Sequence, residues 1–320
     1  MLAGVFLAFL VTRFDIDLGD TWNNLKDSNP WILVSALLVH YTTFIFRGAR
    51  WRLLLQNTQE DNAPTPGVLY CAGLVLLGWF VNAVGWLRLG DAYRAYVYRE
   101  EQGASFSRTI GTILAERVLD TILVALLLVV ALPFLFESDN SAAWSVLAVA
   151  IVLAVGLGGL LAAITWAKVL VLRKMPSWVA QRYERFRAGT LGSFQRLGPV
   201  TVLGLLAWMA EVARLYLVVQ ALDLGLSFPL VIFLTLANSL LTLVPTPGGV
   251  GAVESGVAGL AVRFSTLSSS LALAMVVVDR AITYVSIIMV GFLLFLFRQA
   301  FRQRRGAVVE PVPAAQTEDR

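Results

Sequence analysis

The sequence predicts an all-α polytopic membrane protein, with six spanning helices plus two re-entrant helical hairpins in an inverted-topology repeat. Three observations support this fold class. Apolar residues make up 58% of the 320 positions and charged residues only 14%, which is too apolar for a soluble domain. Several apolar stretches reach about 20 residues, the length needed to cross a bilayer core. Arginine and lysine are distributed unevenly between these stretches, and this bias sets their orientation.

Six apolar segments are predicted to span the membrane. They are long and continuous, whereas a β-barrel would show short alternating segments. The first segment is short, but it lacks the basic start and the small-residue cleavage site of a signal peptide, which favours a spanning helix. The predicted spans are 1–12, 30–55, 106–136, 142–167, 199–221 and 268–298.

Two further apolar segments, 68–87 and 228–244, are each followed by a shorter helical stretch. Basic residues place both ends of 68–101 on the cytoplasmic side, so this segment is predicted to enter from that side and turn back. The same reasoning makes 228–264 a hairpin that enters from the outer side. The alternative is eight simple spans that follow the charge rule weakly.

Charge placement also orients the rest of the chain. The stretch 168–198 carries seven basic residues against Glu184 alone, which is the strongest cytoplasmic signal. Arg47, Arg50 and Arg52, at the end of the second span, are interpreted as marking its cytoplasmic end. Trp51, beside them, is interpreted as an anchor at the membrane interface.

These orientations divide the chain into two halves of opposite topology. A single transmembrane domain is predicted over 1–305, with repeat A at about 1–136 and repeat B at about 142–298. Inverted repeats are typical of transporters that use alternating access. The tail 306–320 is predicted to be disordered. The predicted location is a bacterial or archaeal cell membrane, with both termini cytoplasmic.

Each hairpin contains a predicted helix-breaking turn. Prolines stop the helix before the second turn, and its glycines allow close backbone approach. The helix that follows would direct its first amides toward mid-membrane, where an anion could bind. No Gly-Lys-Ser/Thr follows, so this is not a P-loop. The predicted turn residues are Asn82, Gly85, Gly90, Pro245, Pro247, Gly248, Gly249 and Gly251.

An acid-arginine pair follows each turn at the same spacing, 25 positions after a hairpin carboxylate. A charge at the bilayer centre costs about 2.5–3.5 kcal/mol, so such residues are kept where they pair or face water. Adjacent helical residues point about 100° apart and cannot pair well with each other. We therefore expect them to meet the hairpin charges near a central axis. The candidate translocation residues are Asp91, Arg94, Glu116, Arg117, Asp120, Glu254, Asp279 and Arg280.

These charges suit a lipid head group. Arginine donates two parallel hydrogen bonds to a phosphate, and carboxylates suit an amine or a titrating proton. A salt-bridge network that only fixes helix packing is the alternative. His40 is the only histidine, so multi-histidine metal sites are excluded, and no catalytic residue, metal or cofactor is predicted. The predicted partner is a membrane phospholipid and not a nucleic acid, while a separate lipid-modifying synthase and a second copy of the chain remain open.

Over nearly its whole length the chain resembles the lysylphosphatidylglycerol synthase transmembrane-region family. It differs at the first turn, where Gly85-Trp86 stands in place of an expected proline. The resemblance implies translocation of aminoacylated phosphatidylglycerol or another anionic or glycosylated lipid. The motifs that carry it are Arg50-Trp51-Arg52, Gly90-Asp91-x-x-Arg94, Glu116-Arg117-x-x-Asp120, Pro247-Gly248-Gly249-x-Gly251-x-x-Glu254 and Asp279-Arg280.

Three functions follow as hypotheses. The first is a lipid flippase or scramblase without enzymatic activity, since no soluble stretch is long enough for the aminoacyl-transfer domain of a full synthase. The second is a membrane-embedded enzyme that acts on a lipid phosphate or polyprenyl carrier, although no D-D-x-x-D or histidine motif supports it. The third is a structural partner that docks a separate synthase through the basic stretch 168–198.

Overall fold

The computed structural model describes residues 28–58, 65–85, 89–135 and 141–307, and this part of the chain is helical without strands. Short 3-10 turns lie at Leu132–Leu135 and Pro247–Gly249, and the π-helix Ala281–Val285 joins the last two α-helices. In the described residues the α-helices are α1 (Pro30–Asn57), α2 (Val68–Val84), α3 (Gly90–Gln102), α4 (Phe106–Ala131), α5 (Ser141–Lys174), α6 (Ser177–Gly192), α7 (Leu197–Ala221), α8 (Phe228–Leu241), α9 (Ala252–Phe264), α10 (Ser269–Arg280) and α11 (Ser286–Ala307).

Five helical stretches of the described chain are long and apolar enough to cross a membrane, judged by length and composition. They match five of the six predicted spans. The sixth, 1–12, lies outside the described residues. The five stretches are Pro30–Asn57, Phe106–Leu135, Trp144–Lys174, Leu197–Ala221 and Ser269–Ala300.

Two pairs of shorter helices stand where the hairpins are predicted. The apolar helices α2 and α8 are too short to count as candidate spans. Each packs against the helix that follows it, α2 against α3 and α8 against α9. The structure therefore contains two broken-helix pairs, one in each half of the chain.

Helices α1 and α7 make the most extensive helix-helix contact among the described elements, and they form the centre of the fold. Helix α1 also packs closely on α2, because Gly48 leaves room for the backbone of Ala72. One group of buried apolar side chains lies mainly around α4, α7, α8, α9 and α10, and a second lies around α1, α2 and α3.

Gly48→Ala is expected to lower the melting temperature, because the new Cβ would lie 2.5 Å from the backbone nitrogen of Ala72, where no flexible side chain can move away. Overpacking of this kind costs about 1–3 kcal/mol. Gly156→Ala in α5 is the matched control, since a Cβ there meets nothing within 4 Å. Thermal unfolding of the purified protein measures both. Equal melting temperatures for the two variants would contradict the close packing of α1 on α2.

The structure corrects the interpretation of Trp51 and adds detail to two other segments. Trp51 is fully buried inside α1, so it is not an interface anchor, and Arg47 and Arg50 beside it are buried in the same helix. The basic stretch divides into the end of α5 and the separate helix α6, which packs along α4. Helix α11 continues to Ala307, so the first two residues of the predicted tail are helical, and 308–320 lie outside the described residues.

Candidate functional site

The turn between α8 and α9 is built from glycines with left-handed backbone. Gly248, Gly249 and Gly251 have φ values of 59°, 71° and 92°, a region that residues with a Cβ avoid. At Gly248 a Cβ would also overlap the ring of Tyr284. Pro247 begins the 3-10 turn and Pro245 lies in the irregular stretch before it. The prediction of a turn at these residues is confirmed.

The turn between α2 and α3 is closed by a side chain instead of a proline. Gly85 caps α2 by donating its N–H to the carbonyl of Val81, at 2.8 Å. Asn82 lies in the last turn of α2, and its Oδ1 accepts the N–H of Gly90 at 2.8 Å. Gly90 begins α3 and packs against the backbone of Gly78, where no side chain would fit.

Glu254 ties the second turn to α10. Its Oε2 accepts the N–H of Gly251 at 2.7 Å, and its Oε1 accepts the Nε–H of Arg280 at 2.6 Å. Arg280 also donates from Nη2 to the carbonyl of Gly248, at 2.8 Å. The amide of Gly251, the residue that caps α9, is therefore bound by a carboxylate of that helix. The carboxylate of Glu254 thus lies at the helix start where an anion was expected to bind, and the anion site stays a prediction.

The first half of the chain repeats this arrangement. Arg117 in α4 donates two hydrogen bonds to Asp91 in the first turn of α3, at 3.0 and 2.7 Å. In both halves the arginine binds the carboxylate 26 positions before it. Arg94, one turn after Asp91, binds Glu116 at 2.7 Å. The structure thus brings the predicted hairpin charges onto the long helices.

Two arginines of the central helices complete the network. Arg50 of α1 binds Glu116 at 3.0 Å and both oxygens of Asp120, at 2.7 and 2.9 Å. Arg214 of α7 binds Glu211 at 3.2 Å and also contacts Asp279. Each arginine therefore binds the acid of an acid-arginine pair and one further carboxylate, which is Asp120 of α4 for Arg50 and Glu211 of α7 itself for Arg214. Arg50 and Arg214 are 164 positions apart, close to the 163 positions that separate the two acid-arginine pairs.

Arg47 lies between the two halves of the network. Its guanidinium lies 5.1 Å from the ring of Trp79 and 5.5 Å from that of Trp208, both within cation-π range. Its nitrogens are 3.4 Å from Asp120 and 4.0 Å from Glu211. These ion-pair distances are longer than those of Arg50, so Arg47 is the more loosely held cation.

The network contains as many arginines as carboxylates, so its formal charges balance. A buried charge without a partner is strongly destabilising, and here each arginine reaches at least one carboxylate. The balance means that the network is stable without a bound ion. Its six arginines are Arg47, Arg50, Arg94, Arg117, Arg214 and Arg280, and its six acids are Asp91, Glu116, Asp120, Glu211, Glu254 and Asp279.

A cavity of about 210 Å³ lies between the two turns. Asn82 and Ala83 of the first turn line it together with Thr246 and Gly248 of the second. The hydroxyl of Tyr284 donates to the carbonyl of Ala83 at 3.0 Å, which links the first turn to the π-helix after α10. Four arginines line the cavity: Arg47, Arg117, Arg214 and Arg280.

The eight candidate residues divide into two groups around this cavity. Arg117, Asp120 and Arg280 line it. The other five do not line it, and each pairs with an arginine or acid of the network; they are Asp91, Arg94, Glu116, Glu254 and Asp279.

Sequence reasoning missed Arg47 and a polar stripe on α8 as parts of the site. Arg47 gave no local signal, because it lies near the end of an apolar run and resembles a loop charge. Glu211 and Arg214, which pair at i,i+3 in α7, were also outside the eight candidate translocation residues. The stripe could have been found, since its spacing of i, i+3, i+4 and i+7 places it on one face of an otherwise apolar helix. Its members are Thr235, Asn238, Ser239 and Thr242.

The described residues contain no group of three or more His, Cys, Asp or Glu side chains that could hold a metal ion. The acids of the network are instead bound by arginines.

Comparison with known proteins identifies the family. The family model described as the lysylphosphatidylglycerol synthase TM region matches residues 1–291. The chain belongs to this family. No solved structure matches it significantly.

Several archaeal members of curated collections are similar to the chain. A UPF0104 membrane protein of Methanocaldococcus jannaschii is 29% identical over 224 residues, which cover 68% of this chain and 93% of the relative. One from Methanothermobacter thermautotrophicus is 28% identical over 79% of this chain and 80% of the relative. The glycosyltransferase AglD of Haloferax volcanii is 22% identical over 86% of this chain, which spans about half of AglD's length. The protein is thus a multi-pass helical membrane protein with archaeal relatives.

Proposed function

We propose that this family member is a flippase or scramblase that moves a phospholipid between the two leaflets. The main observation that supports this proposal is the cavity between the two broken-helix pairs, which is lined by four arginines in a membrane-embedded fold. Its volume of about 210 Å³ suits a compact polar group and is smaller than the pockets of drug-sized ligands. The head group would therefore pass through the cavity while the acyl chains stay in the bilayer.

The arrangement of the two halves supports alternating access. In the proposed topology six helices span the membrane and the two broken-helix pairs re-enter from opposite sides, as an inverted repeat. The matched pairs Asp91–Arg117 and Glu254–Arg280 would then lie at comparable depths on either side of the cavity. Opening one pair while the other holds would expose the cavity to one side at a time.

The cavity arginines would bind the lipid phosphate. A guanidinium donates parallel hydrogen bonds to phosphate oxygens, and charge-assisted bonds are about twice as strong as neutral ones. Arg47 is the first candidate for this role, because its carboxylate partners lie at 3.4 and 4.0 Å and can be exchanged for a phosphate at low cost. The lipid would include aminoacylated phosphatidylglycerol or another anionic or glycosylated lipid.

The sequence shows no nucleotide-binding motif, so the proposed transport is passive or ion-coupled. A bacterial or archaeal cell membrane is the proposed location, with both termini cytoplasmic. A separate lipid-modifying synthase that delivers the lipid, and a second copy of the chain, are the proposed protein partners.

Leaflet exchange in liposomes tests this proposal. The purified protein is reconstituted with a trace of acyl-labelled fluorescent phosphatidylglycerol, and dithionite quenches the label in the outer leaflet. Protein-free liposomes leave about half of the fluorescence, whereas a flippase or scramblase lets nearly all of it be quenched. Exchange no faster than in protein-free liposomes, for several head groups, would contradict the proposal.

The same liposomes test the enzyme hypothesis. AglD is named a glycosyltransferase, and the chain matches about half of its length. A new lipid product formed from a lipid phosphate in the presence of Mg²⁺, detected by thin-layer chromatography, would favour an enzyme. We expect no product, because the acids of the described site are held by arginines.

A further inference from the structure

The only histidine of the chain lies where the two central helices meet. His40 of α1 is fully buried, and its Nδ1 lies 3.9 Å from Oε2 of Glu211 in α7. Neither ring nitrogen makes a hydrogen bond in the part of the chain that the structure describes. A neutral imidazole has one N–H donor and one acceptor nitrogen, and a buried polar group without a partner costs about 1–3 kcal/mol. Packing alone therefore does not account for a histidine at this position.

Glu211 connects this histidine to the cavity, which it lines. Its Oε2 accepts the Nε–H of Arg214 at 3.2 Å. Its Oε1 is buried and accepts no hydrogen bond from the described residues, and its ion-pair contact with Arg47 is long, at 4.0 Å. A proton that enters the cavity can reach His40 through this carboxylate.

The charges that face His40 belong to the arginine network. Arg47 of its own helix and Arg214 of α7 lie beside Glu211. Asp120 of α4 pairs with Arg47, and Asp279 of α10 contacts Arg214. An imidazolium would therefore be a seventh cation against the six carboxylates of the network. The aromatic neighbours of the ring are Tyr41 and Phe44 of α1 and Trp79 of α2.

A bound lipid phosphate changes this balance. The network is neutral without a charge on His40, and a phosphodiester adds one negative charge to it. An uncompensated buried charge is strongly destabilising. Histidine is the side chain that ordinarily changes its charge between about pH 5 and pH 8. One proton on His40 would restore the balance and turn its contact with Glu211 into an ion pair.

We propose that His40 and Glu211 form the proton-binding site of the transporter, and that one proton is taken up with each singly charged anionic head group. This inference rests on the proposed lipid translocation and names its coupling ion. The proton comes from water, adds to the acceptor nitrogen of the neutral imidazole and leaves from the ring when the phosphate departs, and no other covalent bond forms or breaks. A zwitterionic head group needs no proton, because its own ammonium balances its phosphate.

Two lipids of different charge test this coupling. Phosphatidylglycerol is an anion, whereas phosphatidylethanolamine also carries an ammonium. Their short-chain acyl-labelled forms are compared in phosphatidylcholine liposomes by back-extraction with albumin, because dithionite decomposes in acid.

Lower pH favours the protonated, lipid-bound protein, so acid should speed the exchange of the anionic lipid. One linked proton changes a binding constant by up to about tenfold per pH unit; we expect phosphatidylglycerol to exchange at least about threefold faster at about pH 6 than at about pH 8, and phosphatidylethanolamine to change less than about twofold. A phosphatidylglycerol rate that does not rise in acid, or an equal rise for both lipids, would overturn the inference.

Variants then locate the proton. His40→Gln keeps a neutral polar side chain that takes up no proton, so phosphatidylglycerol exchange should lose its pH dependence. Thr43→Val is the matched control and should keep it, because Thr43 is also fully buried in α1 with an unbonded hydroxyl but does not titrate. Size-exclusion chromatography confirms that each variant is folded. Wild-type pH dependence in folded His40→Gln protein would overturn the role of His40.

Glu211→Gln provides a second, independent variant. It removes one negative charge, as a bound proton does, so phosphatidylglycerol exchange at the higher pH should reach the wild-type rate at the lower pH. Wild-type rates and pH dependence in this variant would also overturn the inference. Absence of exchange for both lipids at both pH values in the wild-type protein would instead contradict lipid translocation itself.

Discussion

Arg50→Met is expected to destabilise the protein by about 3–5 kcal/mol, the cost of removing one partner from a buried ion pair. Arg50 is fully buried and binds both Glu116 and Asp120. Methionine fills a similar volume but leaves Asp120 with Arg47 at 3.4 Å as its remaining arginine partner. Thermal unfolding of the purified protein should show a large drop in melting temperature.

Two further variants separate charge from packing. Arg50→Met with Asp120→Asn should recover part of the lost stability, because the uncompensated carboxylate is then removed. Arg52→Met is the matched control. Arg52 is only partly buried and donates to the carbonyl of Pro66, a single hydrogen bond worth about 1 kcal/mol. A double variant less stable than Arg50→Met would show that the carboxylate is not the source of the loss.

Arg280→Ala is expected to slow leaflet exchange at least tenfold while the protein still folds. The substitution removes a cation from the cavity wall, unpairs the buried Glu254 and releases the carbonyl of Gly248 from its hydrogen bond. Arg280→Lys should be intermediate, because one ammonium cannot reproduce the planar fork that reaches both partners. Dithionite quenching in liposomes measures the rates, and size-exclusion chromatography confirms that each variant is folded.

Arg298→Ala is the control for this series. Arg298 pairs with Glu101 outside the cavity, at about a fifth of full side-chain exposure, so its loss should change exchange less than twofold. Wild-type exchange rates in folded Arg280→Ala protein would show that the network only fixes helix packing, which is the structural alternative raised by the sequence.

The sequence predicted those features that depend on neighbouring residues. The prolines and glycines of the second turn, the helices on either side of each turn and the equal spacing of the acid-arginine pairs are local patterns. They correctly indicated that the hairpin charges would meet charges of the long helices, and the structure shows these contacts as the pairs Asp91–Arg117 and Glu254–Arg280. In each case the two residues belong to the same half of the chain.

Contacts between the halves could not be predicted in this way. Arg47 and Arg50 are buried because α1 packs against α7, a contact between segments more than 100 positions apart in the chain. Nothing beside these arginines distinguishes a buried cation from a loop charge. The first turn was also difficult, because the side chain of Asn82 closes it where a proline was expected.

The cavity is formed both by contacts within each half of the chain and by contacts between the halves. Local pairs position the hairpin turns, and the central pair of helices brings Arg47, Glu211 and Arg214 between them. The balanced charges stabilise the network, and in the proposed function the cavity gives a lipid head group access to Arg47, the most loosely held of its arginines. The central claim is that head groups pass through this cavity.

Blocking the cavity tests this claim most directly. Ser239→Cys, made together with Cys71→Ala to remove the native thiol, places a reactive group on the cavity wall. Leaflet exchange is measured before and after modification with a charged methanethiosulfonate reagent, and Ser255→Cys, at an exposed position that does not line the cavity, is the control. We expect modification to stop exchange in the Ser239→Cys protein and to leave the control unaffected. Unchanged exchange after complete modification of the Ser239→Cys protein would contradict a path through the cavity.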